Sequence, residues 1–481
     1  MTQPGIVGLG AYVPRLRLER DAIVEATGWA SGLRGGKPKG RRSYCAWDED
    51  SLTMAVEAAR DCLADRTRAD LTALVFASTT HPFADRCNAG VVAEALDLPE
   101  ALRTADFSGH QRAGVDALID AFQHVRGGGG PALVVASDRR LAKAGSEQES
   151  RFGHGATAVL VGRAEDASAV VVTESRLRAD FIDHYRESDS QYDYAYEERW
   201  VRDEGYLALM PRAITEALRN LAGPEAVAHL IVQGPQRFAS AVAKATGIRQ
   251  EAVEPDLYSE CGDLGVAHPL LLLGAVLEKA QPGATIVLAS FGQGCDVVVL
   301  RSTGRKPAPR LGCKGALAVG MANREYVRFL SNCGLVDLDW GMRAERDNRT
   351  AQSAMWRRHR DVTAFVGGRC GACGTVQFPR ARACVNPECR KFDTQEPVAL
   401  AEKTGRVKTF TEDWLAVTRS PPHVYGNIEL DGGGNVFIEF TDARPGDTAV
   451  GRPVRFAFRV KDVDAVRGFR RYFWKAVLAG G

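Results

Sequence analysis

Phe152-Gly-His-Gly-Ala-Thr-Ala-Val-Leu-Val161 is a Gly-x-Gly turn that leads into an apolar run of strand length. A similar stretch, Phe291-Gly-Gln-Gly-Cys-Asp-Val-Val-Val-Leu300, occurs later in the chain, and each follows an earlier apolar run, Ala132–Ala136 and Thr285–Ala289 respectively. Repetition along a chain indicates repetition in the fold. We therefore predict a duplicated core, with one half ending near residue 165 and the other near residue 303.

The segments around these two stretches predict buried α/β layers. Short apolar runs bounded by turns indicate strands, and apolar residues at a period near 3.6 indicate helices. The further predicted strands are Ile6–Leu9, Leu74–Ala77, Val170–Thr173 and Leu230–Val232, and the predicted helices are Ser51–Asp65, Gln111–Val125, Leu207–Leu221 and Leu270–Lys279. Because helices lie between several of the strands, this part of the chain is expected to be an α/β domain.

The composition is that of an ordinary folded protein and excludes several classes. Of 481 residues, 45% are hydrophobic and 25% are charged, which is typical of neither a disordered chain nor a fibrous repeat. Lys and Arg number 62 against 60 Asp and Glu, so no net field favours nucleic acid. The N-terminus lacks the features of a signal peptide, and no apolar run reaches the roughly 18 residues that cross a bilayer. We expect a cytoplasmic protein without nucleic-acid or membrane partners.

Four of the eleven cysteines form a cluster that predicts a metal site. Cys370-Gly-Ala-Cys373 and Cys384-Val-Asn-Pro-Glu-Cys389 are two close pairs, the arrangement by which two tight turns present four thiolates to one tetrahedral zinc. Four protein ligands leave no position open for water, so the zinc is expected to be structural. The alternative is four reduced thiols without metal. The other seven cysteines are expected to be reduced and buried.

The chain beyond the cysteine cluster predicts a small antiparallel barrel of the OB type. Its alternating strands are expected at Arg406–Thr411, Val424–Leu430, Asn435–Thr441 and Arg452–Val460, separated by glycine-rich or proline-containing turns. Exposed aromatic residues are few and the charges are mixed. We therefore expect a docking or covering role for the barrel in preference to nucleic-acid binding.

Several motifs together resemble one known family. Asp48-Glu-Asp-Ser-Leu-Thr-Met-Ala-Val-Glu-Ala-Ala59, Val135-Ala-Ser-Asp138, Gly153-His-Gly-Ala156 and Gly292-Gln-Gly294 resemble the 3-hydroxy-3-methylglutaryl-CoA synthase branch of the thiolase superfamily, which includes ketoacyl synthase III-like proteins. The cysteine cluster and barrel resemble the acyl-CoA-associated module that accompanies thiolase-like proteins in bacteria and archaea. The resemblance implies a duplicated five-layer α/β core and, by its pairing habit, a homodimer.

This resemblance, with the strand and turn patterns, predicts five segments. Residues 1–165 and 166–310 are expected to be the two thiolase-like halves, and residues 311–362 connecting helices. Residues 363–400 are expected to be the zinc ribbon, and residues 401–481 the OB-type barrel.

The catalytic positions of the resembled family carry other residues in this chain. The family places a nucleophilic cysteine at a helix N-terminus, where the helix dipole lowers the thiol pKa. Aligning Arg112-Ala-Gly114 with the family's basic-Ala-Gly triplet puts Gln111 at that position. The family's glutamate falls in the segment that contains Thr80, its histidine corresponds to Gln233 and its asparagine to Asp263. A glutamine cannot form an acyl-enzyme.

The remaining polar residues predict chemistry without a covalent intermediate. His110, Asp263 and His268 are expected to converge in the pocket as catalytic groups, since an imidazole and a carboxylate suffice for proton transfer. Gln111, Gln233 and Thr80 are expected to bind substrate. The resemblance implies a CoA or phosphopantetheine thioester, carried by CoA or an acyl carrier protein, and aldol, retro-aldol or acyl-transfer chemistry. Thiolase-like aldolases that lack the cysteine and pair with a zinc-ribbon module are the nearest precedent.

Each candidate also has a structural interpretation. His110 can cap the following helix, Asp263 can stabilise a turn and His268 can start a helix beside Pro269. If these interpretations hold, the protein is a catalytically silent thiolase-fold subunit that binds or channels acyl thioesters for a partner enzyme. His81, His154 and Cys295 are weaker candidates beside strand ends or glycine turns, and Cys87 is expected to be a buried thiol.

Two basic stretches and one run of glycines stand out in the remainder of the sequence. The segment from Arg34 to Arg42 could bind a CoA phosphate or an acyl carrier protein, or could be a solvated loop. The arginine-rich segment Trp340–His359 could approach a CoA tunnel or lie on its own core. Gly127–Gly130 follows a helix and lacks the Lys-Ser/Thr of a phosphate loop, so it is expected to end that helix.

Overall fold

A computed structural model describes residues 2–30, 38–195, 197–219, 221, 223–341 and 351–479. The chain divides into two compact units. The first consists of Met1–Ala46, Asp50–Gly90 and Leu98–Cys333, and the second of Trp47–Glu49, Val91–Asp97 and Gly334–Gly481. The five predicted segment boundaries remain predictions.

The strands and helices predicted from the apolar pattern are present up to residue 333, and further, shorter elements that were not predicted lie between them. The strands are β1 Pro4–Tyr12, β2 Leu16–Glu19, β3 Arg41–Ser43, β4 Ala73–Ala77, β5 Arg103–Phe107, β6 Ala132–Arg139, β7 His154–Arg163, β8 Ala169–Arg178, β9 His184–Tyr185, β10 Tyr194–Ala195, β11 Val227–Val232, β12 Thr285–Phe291, β13 Gly294–Ser302 and β14 Met321–Asn323. The helices are α1 Arg20–Thr27, α2 Ser51–Leu63, α3 Asn88–Ala95, α4 Ala113–Arg126, α5 Glu147–Arg151, α6 Glu198–Trp200, α7 Leu209–Leu218, α8 Gln236–Thr246, α9 Tyr258–Cys261, α10 His268–Leu277, α11 Gly312–Ala318 and α12 Tyr326–Cys333.

The predicted duplication is present in the strand order of the main sheet. Its order is β11-β12-β13-β8-β1-β7-β6-β4-β5. In the first half β4 and β6 are parallel, and β7 is antiparallel to both β6 and β1. In the second half β11 and β12 are parallel, and β13 is antiparallel to both β12 and β8. A single parallel bridge between Leu230 and Val253 stands where the first half has its edge strand β5.

The helices complete a layered α/β core around the main sheet. The central layer contains α4 and α10, which contact each other and strands of both halves, while α2 lies on β1, β6 and β7, and α7 and α8 lie on the second half. All side chains of Leu270–Leu273 in α10 are buried. A helix that is apolar on all sides is stable only when it is covered on all sides, so the sequence of α10 suits the central layer.

Among its described residues from 334 onward, the second unit contains two short helices and two antiparallel sheets. They are α13 Gln352–Arg357, α14 His359–Val362, β15 Val366–Cys370, β16 Val376–Gln377, β17 Gln395–Ala399, β18 Gly405–Asp413, β19 His423–Leu430, β20 Asn435–Glu439, β21 Pro453–Asp464 and β22 Phe469–Leu478. The sheet of the zinc ribbon has the order β16-β15-β17, and the larger sheet has the order β20-β19-β18-β21-β22. A bridge between Phe440 and Ala476 brings the two edges of the larger sheet together, which gives the unit a barrel-like form.

The last strand of this sheet, β22, was not predicted from the sequence. Phe469–Leu478 pairs along its length with β21, and Trp474 in its middle is fully buried. Charged residues such as Arg470, Arg471 and Lys475 interrupt its apolar pattern. Its inward-facing aromatic residues nevertheless form part of the core, because strand side chains alternate between the two faces of a sheet.

The two basic stretches lie partly outside the described residues. Arg34 and Lys37 belong to the undescribed segment 31–37, and the arginines at 343, 346 and 349 belong to 342–350. Within the described part, Arg41 forms an ion pair with Glu19 at 2.9 Å. Gly127–Gly130 follows the end of α4, as predicted.

Candidate functional site

A cavity of about 310 Å³ lies in the first unit. Its wall is formed by Gln111 in front of α4, by Gln233 after β11, by Asp263 after α9, and by side chains from α5, α8 and the β9–β10 hairpin. We call it the central cavity. Three of the residues predicted from the family comparison, Gln111, Gln233 and Asp263, therefore meet in one place although they are far apart in sequence.

One direct hydrogen bond connects Gln233 to Gln111 in the wall of the central cavity. Nε2 of Gln233 donates to the backbone oxygen of Gln111 at 3.2 Å, and the Ser290 hydroxyl donates to Oε1 of Gln233. Oε1 of Gln111 is buried and has no hydrogen-bond partner among the described residues. A buried polar atom without a partner is costly, so this oxygen is suited to accept a hydrogen bond from a bound ligand.

The backbone at Gln111 is positioned by the Gly292-Gln-Gly294 turn. A Cβ atom added at Gly292 would lie 2.9 Å from the Gln111 nitrogen, so only glycine lets the two segments approach this closely. Arg112 fixes the turn, since its Nε donates to the Gly292 oxygen at 3.0 Å and its Nη1 contacts Asp296 at 2.7 Å. The glycine pattern that revealed the duplication therefore also shapes the site.

Asp263 is a charge-balanced carboxylate. Burial acts to raise the pKa of Asp263, but Arg140 and Arg151 hold it below the ordinary value. Its Oδ2 lies 3.8 Å from Nη1 of Arg140 and 3.9 Å from Nε of Arg151, and its Oδ1 accepts from the Gly265 nitrogen at 3.0 Å. A lowered pKa makes a carboxylate a weaker base, so Asp263 is better suited to orient the two guanidinium groups than to remove a proton.

Asp183 and His184 form a second polar pair in the wall of the central cavity. Nδ1 of His184 lies 3.0 Å from Oδ2 of Asp183, and Nε2 of His184 lies 3.5 Å from Nε2 of Gln111. Both residues belong to the polar, aromatic-rich segment that contains the β9–β10 hairpin. This pair was not predicted from the sequence, because an Asp-His dipeptide at the start of the two-residue strand β9 forms no pattern that indicates a site.

The other predicted catalytic and binding residues do not line the central cavity. His268 is fully buried, its Nδ1 accepts from the Leu264 nitrogen at 3.3 Å, and its Nε2 donates to the Asp256 oxygen at 2.7 Å. Nε2 of His110 lies 3.8 Å from Oδ2 of Asp116. Oγ1 of Thr80 accepts from the Arg139 nitrogen at 2.8 Å and donates to Asp138 at 3.0 Å. Their predicted catalytic and binding roles stay predictions.

Burial lowers the pKa of both predicted catalytic histidines. For His268 burial is the dominant cause, and for His110 burial is followed by the nearby Arg112. Both imidazoles are therefore held neutral, and in His268 both ring nitrogens are already bonded to the backbone. The expected convergence of His110, Asp263 and His268 in one pocket is not what the structure shows, because only Asp263 reaches the cavity wall.

No cysteine lines the central cavity within the described residues. Burial raises the pKa of Cys261 to about 12 and raises the pKa of Cys295 as well, so neither is an activated thiolate. Cys87 is exposed, which corrects the prediction that it is buried. It lies just before α3, where its sulfur accepts a hydrogen bond from the Gly90 nitrogen at 3.3 Å, and this position at a helix start leaves the side chain open to solvent.

The four clustered cysteines fit a tetrahedral zinc. Their sulfur atoms all lie within 4.8 Å of one another, with Cys370 and Cys389 at 3.8 Å and Cys373 and Cys384 at 3.6 Å. Four thiolates at about 2.3 Å from one zinc would be separated by about 3.8 Å. Cys370 also contacts the Thr394 hydroxyl at 3.1 Å. The donor set and spacing are those of a structural site.

Comparison with known proteins identifies both parts of the chain. Residues 360–395 match the family model of the ChsH2 rubredoxin-like zinc ribbon domain. The 3-oxoacyl-(acyl carrier protein) synthase III of Pseudomonas aeruginosa is similar in fold, with 23% identity, a TM-score of 0.55, and coverage of 64% of this chain and 99% of that one. An HMG-CoA synthase crystallised with CoA gives 18% identity and a TM-score of 0.59, over 68% of this chain and 90% of that one. The α/β core is therefore thiolase-like.

The sequence relatives narrow this class to one family. The hydroxymethylglutaryl-CoA synthase of Aeropyrum pernix is 31% identical over 297 residues, which cover 60% of this chain and 82% of the relative. That of Pyrococcus furiosus is 29% identical over 302 residues, covering 61% and 84%. The chain belongs to the hydroxymethylglutaryl-CoA synthase family. Across the part of the chain that the structure describes, no helix is both long and apolar enough to span a membrane.

Proposed function

We propose that this protein is an enzyme that processes acyl thioesters by carbon-carbon bond chemistry or acyl transfer, without a covalent cysteine intermediate. The observation that supports this proposal is the position of Gln111 in the wall of the central cavity, in front of α4. An amide cannot become acylated by a thioester, but it can donate to a thioester oxygen and accept from a hydroxyl. Polar groups placed to meet charge that develops during reaction can stabilise a transition state without covalent catalysis.

Family membership supports the substrate class. The solved HMG-CoA synthase contains CoA, and the synthase III neighbour acts on acyl carrier protein according to its name. We infer that a CoA or phosphopantetheine thioester enters the central cavity of this chain. Aldol or retro-aldol chemistry is the preferred reaction, because it needs proton transfer and enolate stabilisation but no nucleophilic side chain of the protein.

A catalytically silent subunit is the second candidate function. It is favoured by the saturation of His268, whose ring nitrogens both bond to the backbone, and by the charge balance around Asp263. The incomplete hydrogen bonding of Gln111 favours an active site.

The metal site, the oligomeric state and the location of the protein are further proposals. We expect the four cysteines to hold a structural zinc, which would order a ribbon too small to bury a core of its own. We further propose a cytoplasmic homodimer, by analogy with the pairing of thiolase-like proteins.

Intact-mass analysis after incubation with a panel of acyl-CoAs and 3-hydroxyacyl-CoAs tests the function. The full chain is expected to change the acyl products without gaining an acyl adduct. Gln111→Cys should gain an adduct from the same thioesters if they reach the cavity, and Cys87→Ser in both backgrounds controls for the exposed thiol. A stable adduct on a native cysteine would overturn the non-covalent proposal. Adduct formation on Gln111→Cys with no turnover by the native chain would favour the silent subunit.

A further inference from the structure

We propose that Asp183 and His184 form the acid-base dyad that transfers the proton in the aldol or retro-aldol step proposed above. The inference rests on the proposed function. It assigns the proton transfer to residues in the β9–β10 region, which have no counterpart among the sequence-predicted catalytic groups.

The contacts of His184 determine which ring nitrogen acts as the base. A carboxylate only accepts hydrogen bonds, so the contact of 3.0 Å with Oδ2 of Asp183 places the proton on Nδ1 of the neutral imidazole. Nε2 then carries a lone pair. Nε2 of Gln111, which can only donate, lies 3.5 Å from it, at the outer limit of a hydrogen bond. The two assignments agree with each other.

The same geometry places Nε2 of His184, whose contact with Gln111 is long, beside Oε1 of Gln111, which has no hydrogen-bond partner among the described residues. Gln111 is also more than nine-tenths buried, with 8% of its surface exposed. A substrate hydroxyl between the two residues could donate to Nε2 of His184, while Nε2 of Gln111 donates to the thioester oxygen and Oε1 of Gln111 accepts from any further donor of the ligand.

The cleavage step balances without any further reagent. Nε2 of His184 takes the proton of the 3-hydroxyl, the O–H electron pair forms the new carbonyl, and the bond between C2 and C3 breaks. The electron pair of that bond moves into the thioester, giving its enolate. C2 of the enolate then recovers the proton from His184, which returns the imidazole to its starting form. Asp183 stabilises the imidazolium between these two transfers.

The dyad is fixed to the cavity wall by neighbouring charges. Asp193, which precedes β10, is bonded to Nη2 of Arg140 at 2.7 Å, and Arg186 lies 3.6 Å from Asp193. Arg140 in turn lies over the Phe152 ring, with its guanidinium carbon 3.7 Å from the ring centroid. These contacts hold the segment from Asp183 to Asp193 in the wall of the central cavity, where His184 contacts Gln111.

The test compares dyad variants of the full chain in two assays. The first measures cleavage of 3-hydroxyacyl-CoAs, and the second measures deuterium exchange at C2 of the acyl-CoA product in heavy water. We expect His184→Ala and Asp183→Asn to lower both rates by about 10²–10⁴-fold while binding of the product acyl-CoA changes little. Added imidazole should restore part of the rate of His184→Ala, which a merely structural role would not allow.

His229→Gln is the matched control. His229 contacts Glu254 at 2.6 Å in a similar His-carboxylate pair, but it does not line the central cavity. Its rates should equal those of the native chain. If the native chain cleaves the substrates and His184→Ala is equally fast, the dyad is overturned while the function stands. If the native chain neither cleaves nor exchanges any thioester, both proposals fail.

Discussion

Asp193 shows how a single carboxylate organises the cavity wall. Burial acts to raise its pKa, but Arg140, through charge and a direct hydrogen bond, holds the pKa of Asp193 below its ordinary value. Arg140 is shared, because it also faces Asp263 at 3.8 Å. Removing one member of such a buried set leaves another charge uncompensated, which costs more than the net contribution of the pair.

Asp193→Asn should lower the free energy of unfolding by about 3 kcal/mol at neutral pH. The folded carboxyl has the lower pKa, so its contribution is fully present above the unfolded pKa of about 4 and is lost as the pH falls toward the folded value. The difference between native and variant chains should therefore shrink below about pH 4. Urea unfolding measured at several pH values checks this. A difference that stays constant with pH would contradict the ion-pair explanation.

Among the secondary-structure elements, β22 is the one whose position was least evident beforehand. Its Trp474 stacks near Phe365, packs on Phe458 and donates from its indole nitrogen to the Thr363 oxygen at 2.8 Å. A large aromatic side chain buried this completely contributes strongly to a small core. The strand therefore holds the larger sheet of the second unit together.

Trp474→Ala should lower the stability of the second unit by about 3–5 kcal/mol, since it leaves a cavity and an unpaired carbonyl. Val466→Ala, in the exposed turn before β22, is the control because Val466 is 95% exposed, and it should change stability by less than about 0.5 kcal/mol. Thermal unfolding of both variants is measured by the circular dichroism of the backbone. Equal melting curves would show that β22 is dispensable for the sheet.

Across the full chain, the metal site and the buried histidines are expected to set the response to solution conditions. We expect a ribbon held by four thiolates to depend on its metal for folding, because β15, β16 and β17 form only a short three-stranded sheet. The neutral buried histidines of the first unit affect stability in a different way, because they become protonated when the chain unfolds at low pH.

Zinc removal should unfold the ribbon of the second unit. The purified chain is expected to contain about one zinc, and a strong chelator or Cys373→Ser should remove it and lower the unfolding temperature of the second unit. Cys87→Ser, which changes an exposed thiol outside the cluster, is the matched control. Zinc content and calorimetry are the measurements. A chain that keeps its full stability without zinc would contradict the structural assignment.

Acidification from pH 7 to 5 should destabilise the first unit. Burial lowers the pKa of His154 and of His268 below the unfolded value of about 6.5. The unfolded chain therefore binds protons first, and stability, complete above about pH 6.5, should fall by up to about 1.4 kcal/mol per pH unit for each histidine. Urea unfolding at pH 7, 6 and 5 measures the slope, and His268→Gln should reduce it by about one proton. A flat profile would mean that these histidines are not held neutral.

The local sequence determined every strand of the main sheet except β5, the central helices and the four-cysteine cluster, because each depends on spacing over a few residues. The Gly-x-Gly stretches also revealed the duplication, and the family motifs correctly brought Gln111, Gln233 and Asp263 to one site. Only the tertiary structure placed His184 beside Gln111 and turned His268 toward the backbone. Those contacts join residues that are distant along the chain, and they depend on how the hairpin, helices and turns pack, which no local periodicity encodes.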